Sequence, residues 1–420
     1  MPPARSLPDS QRILSLGIIA FSLALAYGIW YAYGVILVAL LREYGWSRSV
    51  LAGAFSVFTL VHGCANPLVG KLCDRFRPLQ LMAAGGALLG IALWMDSTIA
   101  SPTGLYLLFG VCTALAVALA GWVPAIVQVQ RDFQDRLGLA LGIVSSGVGV
   151  GMLLVVPLTQ LLIDAYGWRT AFRALGVICA AWIVPSSLYL LRRPAARRSA
   201  RQAGAAPGKA PPPLTLAEAM RGEPFWLMLA VFFFGNLCSQ TLHVHQVVYL
   251  VDLGVASIVA ASVVGVVGVA SIVGKTGGGW LSDRMERELI FFTGIAIMLA
   301  AVAVLAALAV PAATPPGWAI YGYAVLLGLG YSVTASLVPA MVSDRFGGPH
   351  FGAIVGMGLM SSAAGSAAGP WMAGVLFDLN GSYMLAFLIA GAGGLAAGVG
   401  AWRARVLRVR ATRPVDRSAG

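Results

Sequence analysis

The chain has 420 residues, of which 59% are hydrophobic and only 10% charged, against roughly 25% charged in a typical soluble domain. With a mean hydropathy of +0.84, this composition excludes a soluble globular protein. The net charge of +12 does not argue for nucleic acid, because most basic residues lie in short segments between apolar runs. Twelve such runs are predicted, at approximately 13–41, 50–70, 79–98, 103–130, 137–163, 170–191, 224–250, 255–281, 289–310, 316–342, 351–377 and 383–402. Each is long enough to cross a ~30 Å hydrocarbon core as a helix. Both the lipid-facing and the bundle-facing sides are apolar, so length rather than periodicity carries the assignment. The first run, from Ile13, is too long for a signal-peptide core and is expected to stay as the first helix.

The expected organisation is an N-terminal six-helix half (1–191), a Pro/Ala/basic cytoplasmic linker (192–222), a C-terminal six-helix half (223–402) and a basic cytoplasmic tail (403–420). A short amphipathic piece at 214–221 is expected to lie along the membrane surface. With the N-terminus in the cytoplasm, only Arg42, Arg48, Arg169 and Arg173 fall on the far side, and Lys275 lies inside a helix. The positive-inside rule then places both termini in the cytoplasm. The Ala/Arg/Gly bias points to a bacterial plasma (inner) membrane. The five cysteines are scattered with no paired spacing, so neither a metal site nor a disulfide framework is expected.

The halves repeat each other. Asp74-Arg75 returns as Asp283-Arg284, Val123-Pro124-Ala125 as Val338-Pro339-Ala340, and Ser145-Ser146-Gly147 as Ser361-Ser362-Ala363. Co-linear matches of this kind indicate internal duplication. Parallel repeats are a transporter architecture with the substrate site at mid-membrane between the halves.

The stretch from Gly70 to Arg77, Gly-Lys-Leu-Cys-Asp-Arg-Phe-Arg, resembles the loop 2–3 motif G-x-L-x-D-R-x-G-R of the major facilitator superfamily. Arg77 replaces the motif's second Gly, and Gly279 to Arg284 echoes it. A narrower resemblance is to the monocarboxylate-transporter and oxalate/formate-antiporter branch. It rests on Tyr33-Gly34-Val35 with Glu43 to Ser49, on Arg131 to Gly142, on Gly167 to Phe172, and on Ser271 to Lys275. The resemblance implies an all-α membrane protein with twelve transmembrane helices in two pseudo-symmetric halves. In that branch an Arg in helix 8 pairs with the substrate carboxylate; Lys275 occupies its place, and Ser271 stands where some members carry an acid. Oxalate-type members have a second base in helix 11. Residues 351–377 contain none, which weighs against a dicarboxylate.

Lys275 also stands out by itself. A charge in hydrocarbon costs at least ~2.5–3.5 kcal/mol, so it persists by facing a polar cavity or by snorkelling to the headgroups. We expect an anion-binding ammonium. No Asp or Glu lies near a predicted helix centre, since Asp96, Asp164, Asp252 and Asp378 all fall at ends; a cation carrier wants a buried carboxylate and an anion carrier does not. Proton coupling then falls to His243 or to Lys275 itself. His243 and His245 are two apart and point to different sides of a helix. His62 and Asn66, one turn apart, read as polar packing or site lining. Tyr27, Tyr31, Tyr331 and Asn236, with Gln128, Gln240 and Ser336, are the further candidates to bind substrate. Asp74, Arg75, Asp283 and Arg284 are expected to gate the cytoplasmic side. The Gly-rich runs 142–151 and 356–369 read as close helix packing rather than phosphate loops, since no strand precedes them. No Ser/His/Asp set, metal cluster or nucleotide motif supports an enzyme or an ATP-driven pump, and no cofactor is expected. The expected function is proton-coupled symport of small monocarboxylates or related organic anions by a monomer. The alternative is an efflux carrier for hydrophobic or amphipathic compounds.

Overall fold

The computed structural model describes residues 9–133, 137–192, 216–282, 284–308, 315–346 and 351–412. The N-terminal half consists of α1 (Asp9–Tyr44), α2 (Arg48–Arg75), α3 (Pro78–Asp96), α4 (Pro102–Asp132), α5 (137–166) and α6 (168–191). The C-terminal half consists of α7 (Glu223–Asp252), α8 (Ser257–Ser282), α9 (Arg287–Ala307), α10 (Gly317–Phe346), α11 (Phe351–Asn380) and α12 (Met384–Thr412). A single turn at Leu216–Ala219 precedes α7. Nine stretches among the described residues are long and apolar enough to cross a membrane, and one of them, Ala140–Leu191, contains both α5 and α6.

Three elements differ from the sequence reading. Helix α4 is not regular: it carries a π-helical stretch at Tyr106–Thr113 and breaks at Gly121. The gap expected between 163 and 170 shrinks to one non-helical residue, Gly167 at φ 79° and ψ 160°. That residue reverses the chain. Gly147 and Gly151 of α5 pack on Ala20 and Ala24, while Gly176 of α6 packs on Leu93 and Ile183 on Gly86. Finally, residues 403–412, expected as tail, continue α12. Arg403, Arg405 and Arg408 form ion pairs there with Glu223, Glu286 and Glu288.

The duplication is visible in backbone geometry. Glycines with positive φ close α1 (Gly45, 62°) and α7 (Gly254, 83°), and again α5 (Gly167, 79°) and α11 (Gly381, 65°). These four connections lie at the same end of the bundle. Within each half one helix pair approaches closely at two glycines four residues apart. A Cβ on Gly147 or Gly151 would sit 2.1 Å from the carbonyl oxygen of Ala20 or Ala24. A Cβ on Gly365 or Gly369 would sit 2.1 or 2.5 Å from that of Phe233 or Leu237. Close approach of small residues holds membrane helices together where water exclusion supplies no drive. The halves meet along α2 with α11 and α5 with α8. The first contact runs from Gly374 against Arg48, through Ser56 Oγ donating to the Ala367 carbonyl at 2.6 Å, to Gly63 against Ala363. The second places Gly149 against Gly268.

Candidate functional site

Four expected residues converge where α1, α7, α8 and α10 meet. The Lys275 ammonium lies 5.8 Å from the centroid of the Tyr331 ring, a cation–π distance. The Tyr331 ring stands edge-on to His243 at 4.7 Å, and His243 lies 5.3 Å from Tyr31. The Tyr31 hydroxyl is within hydrogen-bonding reach of Tyr331 and Gln240. Tyr331 also directs its hydroxyl to Met152 Sδ at 3.8 Å, so the N-terminal half contributes Tyr31 and Met152. A site contacted by both halves senses their relative motion.

The tautomer of His243 follows from its surroundings. Nδ1 lies 2.7 Å from the Ser239 carbonyl oxygen. A carbonyl only accepts, so Nδ1 carries the hydrogen and Nε2 carries a lone pair. Nε2 is buried and has no partner in the structure. His245, two residues on, faces elsewhere. Its Nε2 lies 2.8 Å from the Pro370 carbonyl and its Nδ1 2.9 Å from the Tyr383 hydroxyl.

Other expected residues lie apart from this cluster. Ser271 is fully buried and donates to the Gly268 carbonyl one turn back, at 2.8 Å. Asn236 donates to Phe232 in its own helix and accepts from Ser366 of α11. Tyr27 stacks on Trp30 at 5.9 Å and meets His62 edge-on. Gln128 bonds Asp132 at 2.7 Å. The side chain of Ser336 and residue Asp283 lie outside the described residues.

Of the expected cytoplasmic gate, Asp74, Arg75 and Arg284 are among the described residues, and no ion pair is seen between them. Asp74 and Arg75 are exposed. The Arg75 guanidinium lies 5.9 Å from the adjacent Phe76 ring, and that of Arg284 lies 3.7 Å from Trp280, also close in sequence. A group of charged ties between halves lies at the opposite end. Gly45 closes α1 and Ser47 caps α2 by accepting from the Val50 amide, which sets Arg48 at the first turn of α2. Its guanidinium grips Asp252 at the end of α7, with Nη1 at 2.6 Å from Oδ2 and Nη2 at 3.0 Å from Oδ1. Nη1 also donates to Tyr383, just before α12, at 2.8 Å, and the guanidinium stacks 3.7 Å over Phe377 of α11. Asp378 accepts from the backbone amides of Arg48 and Ser49 at 3.0 and 2.8 Å. A carboxylate of one half thus caps a helix of the other, where the dipole favours negative charge. Tyr383 carries the chain of bonds on to His245. In the sequence Arg48, Asp252 and Asp378 each look like an ordinary charge at a helix end, so no local signal marks the group.

A family model described as the Major Facilitator Superfamily matches residues 19–323 and 252–419. The chain belongs to that superfamily. It is 27% identical over 384 residues to monocarboxylate transporter 13 of Bos taurus, covering 89% of this chain and 84% of that one. It is 30% identical over 361 residues to monocarboxylate transporter 12 of Rattus norvegicus, covering 78% and 71%. This places the superfamily member in a monocarboxylate-transporter-like branch. Two solved structures share the fold. One is a mutant of the nucleoside transporter NupG, with TM-score 0.74, 13% identity and coverage of 93% and 99%. The other is a bacterial homologue of the human lysosomal transporter Spinster in an inward-facing and occupied conformation, with TM-score 0.67, 17% identity and coverage of 96% and 97%. The superfamily member is a membrane transporter and not an enzyme.

Proposed function

We propose that the protein moves small monocarboxylates or related organic anions by alternating access, coupled to protons. Twelve crossings, cytoplasmic termini and a bacterial plasma membrane are part of this reading. The observation that carries it is Lys275, a cationic side chain set against Tyr331 and near His243 where both halves meet. The carboxylate binds Lys275, and Tyr31 and Tyr331 supply hydroxyl donors. The names of the monocarboxylate-transporter relatives support the substrate class.

Coupling follows from charge. A proton on His243 Nε2 repels the Lys275 ammonium, while a bound carboxylate offsets that repulsion, so anion and proton load together. Arg48 with Asp252 and Asp378 acts as the latch of the far-side end. Asp74, Arg75, Asp283 and Arg284 act when the cytoplasmic end closes.

The test is uptake of labelled lactate, pyruvate and acetate into proteoliposomes, with and without an inward proton gradient. Wild type takes up acid under the gradient. Lys275→Ala inserts normally and takes up none, and Lys275→Arg retains part of the activity, since a guanidinium differs in shape from an ammonium. Normal uptake by Lys275→Ala refutes the assignment of this residue.

A further inference from the structure

Beside the Lys275 cluster, α1, α2 and α7 enclose a slot walled by Trp30, Tyr31, Tyr33, Phe55, Gln240 and His243. Three polar atoms of these walls, Trp30 Nε1, Gln240 Oε1 and His243 Nε2, are buried without a hydrogen-bond partner. Gln240 and His243 are 7% and 4% exposed. Buried polar atoms are nearly always satisfied in folded proteins, and an orphan asks for an explanation. Three around one slot, at the junction of the halves, point to a guest.

The donor and acceptor pattern restricts what that guest is. Indole N–H only donates, an amide oxygen only accepts, and His243 Nε2 accepts because its hydrogen sits on Nδ1. A carboxylate is acceptor-only and would satisfy Trp30 while facing two acceptors. A hydroxyl accepts from Trp30 and donates to Gln240 or His243. When His243 is protonated the hydroxyl accepts from it and still donates to Gln240. The remaining walls are aromatic faces, which favour a flat ring packed offset or edge-on. Lys275 and His243 both pack on Tyr331, the ammonium 5.8 Å and the imidazole 4.7 Å from its ring centroid, which sets the charge near the slot.

We propose that the slot recognises the hydroxyl of a hydroxyaryl monocarboxylate. The carboxylate sits at Lys275, the ring between Tyr31 and Tyr331, and the hydroxyl among Trp30, Gln240 and His243. The proposal rests on the anion-transport reading and names its substrate class. The slot holds no water-sized space in this conformation, so the ring enters by parting Tyr31 from Tyr331 and His243.

The experiment measures uptake of labelled 4-hydroxybenzoate, benzoate and lactate by wild type, Trp30→Phe, Gln240→Met and Lys275→Ala in proteoliposomes. Both slot substitutions remove a hydrogen-bonding atom and keep an apolar side chain of similar size. Wild type is expected to favour 4-hydroxybenzoate over benzoate by ~10-fold or more in kcat/KM, with that ratio falling toward one in Trp30→Phe and in Gln240→Met. Lys275→Ala loses uptake of all three. Equal handling of the two benzoates by wild type overturns the proposal, as does an equal loss of both in the slot variants, which marks a purely structural role. In either case lactate uptake that depends on Lys275 leaves the anion reading standing. Uptake of none of the three acids by folded wild type overturns both.

Discussion

Both ends of the bundle carry charged helix termini, and they use them differently. At the end bearing Arg48, bonds within the N-terminal half, such as Arg169 to Glu43, are joined by bonds that cross between halves: Arg48 to Asp252 and Tyr383, Asp378 to the first amides of α2, and Arg42 to Ser257 of α8 at 3.2 Å. At the end bearing Asp74, the following bonds join residues of the same half. Arg131 donates to the Cys73 carbonyl at 2.8 Å, and Arg403, Arg405 and Arg408 bind Glu223, Glu286 and Glu288. The cross-half bonds at the first end tie the halves together, and the pairs named at the second stiffen the half they lie in. On the alternating-access reading proposed above, the Arg48 end is the closed one in this conformation, and differential contacts of this kind move the balance between states.

The comparison can be broken hardest at Arg48. Arg48→Ala removes the bidentate pair, the Tyr383 bond and the Phe377 stack together. The Asp252 side chain is 35% exposed, so its loss of partner is expected to shift the balance by roughly 2 kcal/mol, below the range for a fully buried pair. Spin labels at exposed Ser101 and Asn380 should then report a longer distance. An unchanged distance distribution contradicts the latch. Gly374→Ala attacks the same end sterically, because its Cβ would lie 2.7 Å from the Arg48 carbonyl oxygen. An intrusion of this size costs ~1–3 kcal/mol, and the same pair of labels measures it.

Tyr383→Phe is subtler. It leaves Arg48 on Asp252 but strips a donor from His245 Nδ1 and an acceptor from Arg48. The expected shift is about 1 kcal/mol, read as a partial opening and a reduced transport rate. Arg284→Ala, at the other end, is expected to leave the label distance unchanged, since among the described residues its guanidinium stacks on nearby Trp280 of the same half; opening of the Arg48 end by this variant would show that the two ends are not independent. The smallest effect belongs to Arg405→Ala. Arg405 holds the exposed Glu286 carboxylate below its usual range. That stabilisation is present above the ordinary Glu value of about 4.3 and is lost as pH falls through the lowered folded value. Solvent and salt screen it, and uptake at neutral pH should be indistinguishable from wild type.

The central cluster was partly legible. Lys275 was marked by the cost of its charge, and Tyr31, Tyr331 and His243 by polarity inside apolar runs. Ser271 and Asn236 carry the same kind of signal, yet their side chains are spent on Gly268 and on Phe232 and Ser366. Polarity in a helix says that a partner exists and not which one. Trp30 escaped notice because a tryptophan in a membrane helix is apolar by composition, and only the unpartnered indole nitrogen gives it a polar role. The latch escaped because Arg48 and Asp378 are 330 positions apart.

The chain's membrane class, its helices and its duplication were determined by sequence. In hydrocarbon every backbone donor and acceptor must be satisfied within the segment, so an apolar run of spanning length has little choice but a helix. Similar small-residue spacing in the two halves then gives similar packing, as Gly147 with Gly151 and Gly365 with Gly369 do. Which charges meet was decided only by the tertiary structure. Arg48 grips Asp252 and Asp378, while Asp74 and Arg75 stay exposed. His243 faces the site, while His245 faces the latch. These outcomes depend on how two similar halves lean on each other, a balance set by long-range contacts that no local stretch encodes.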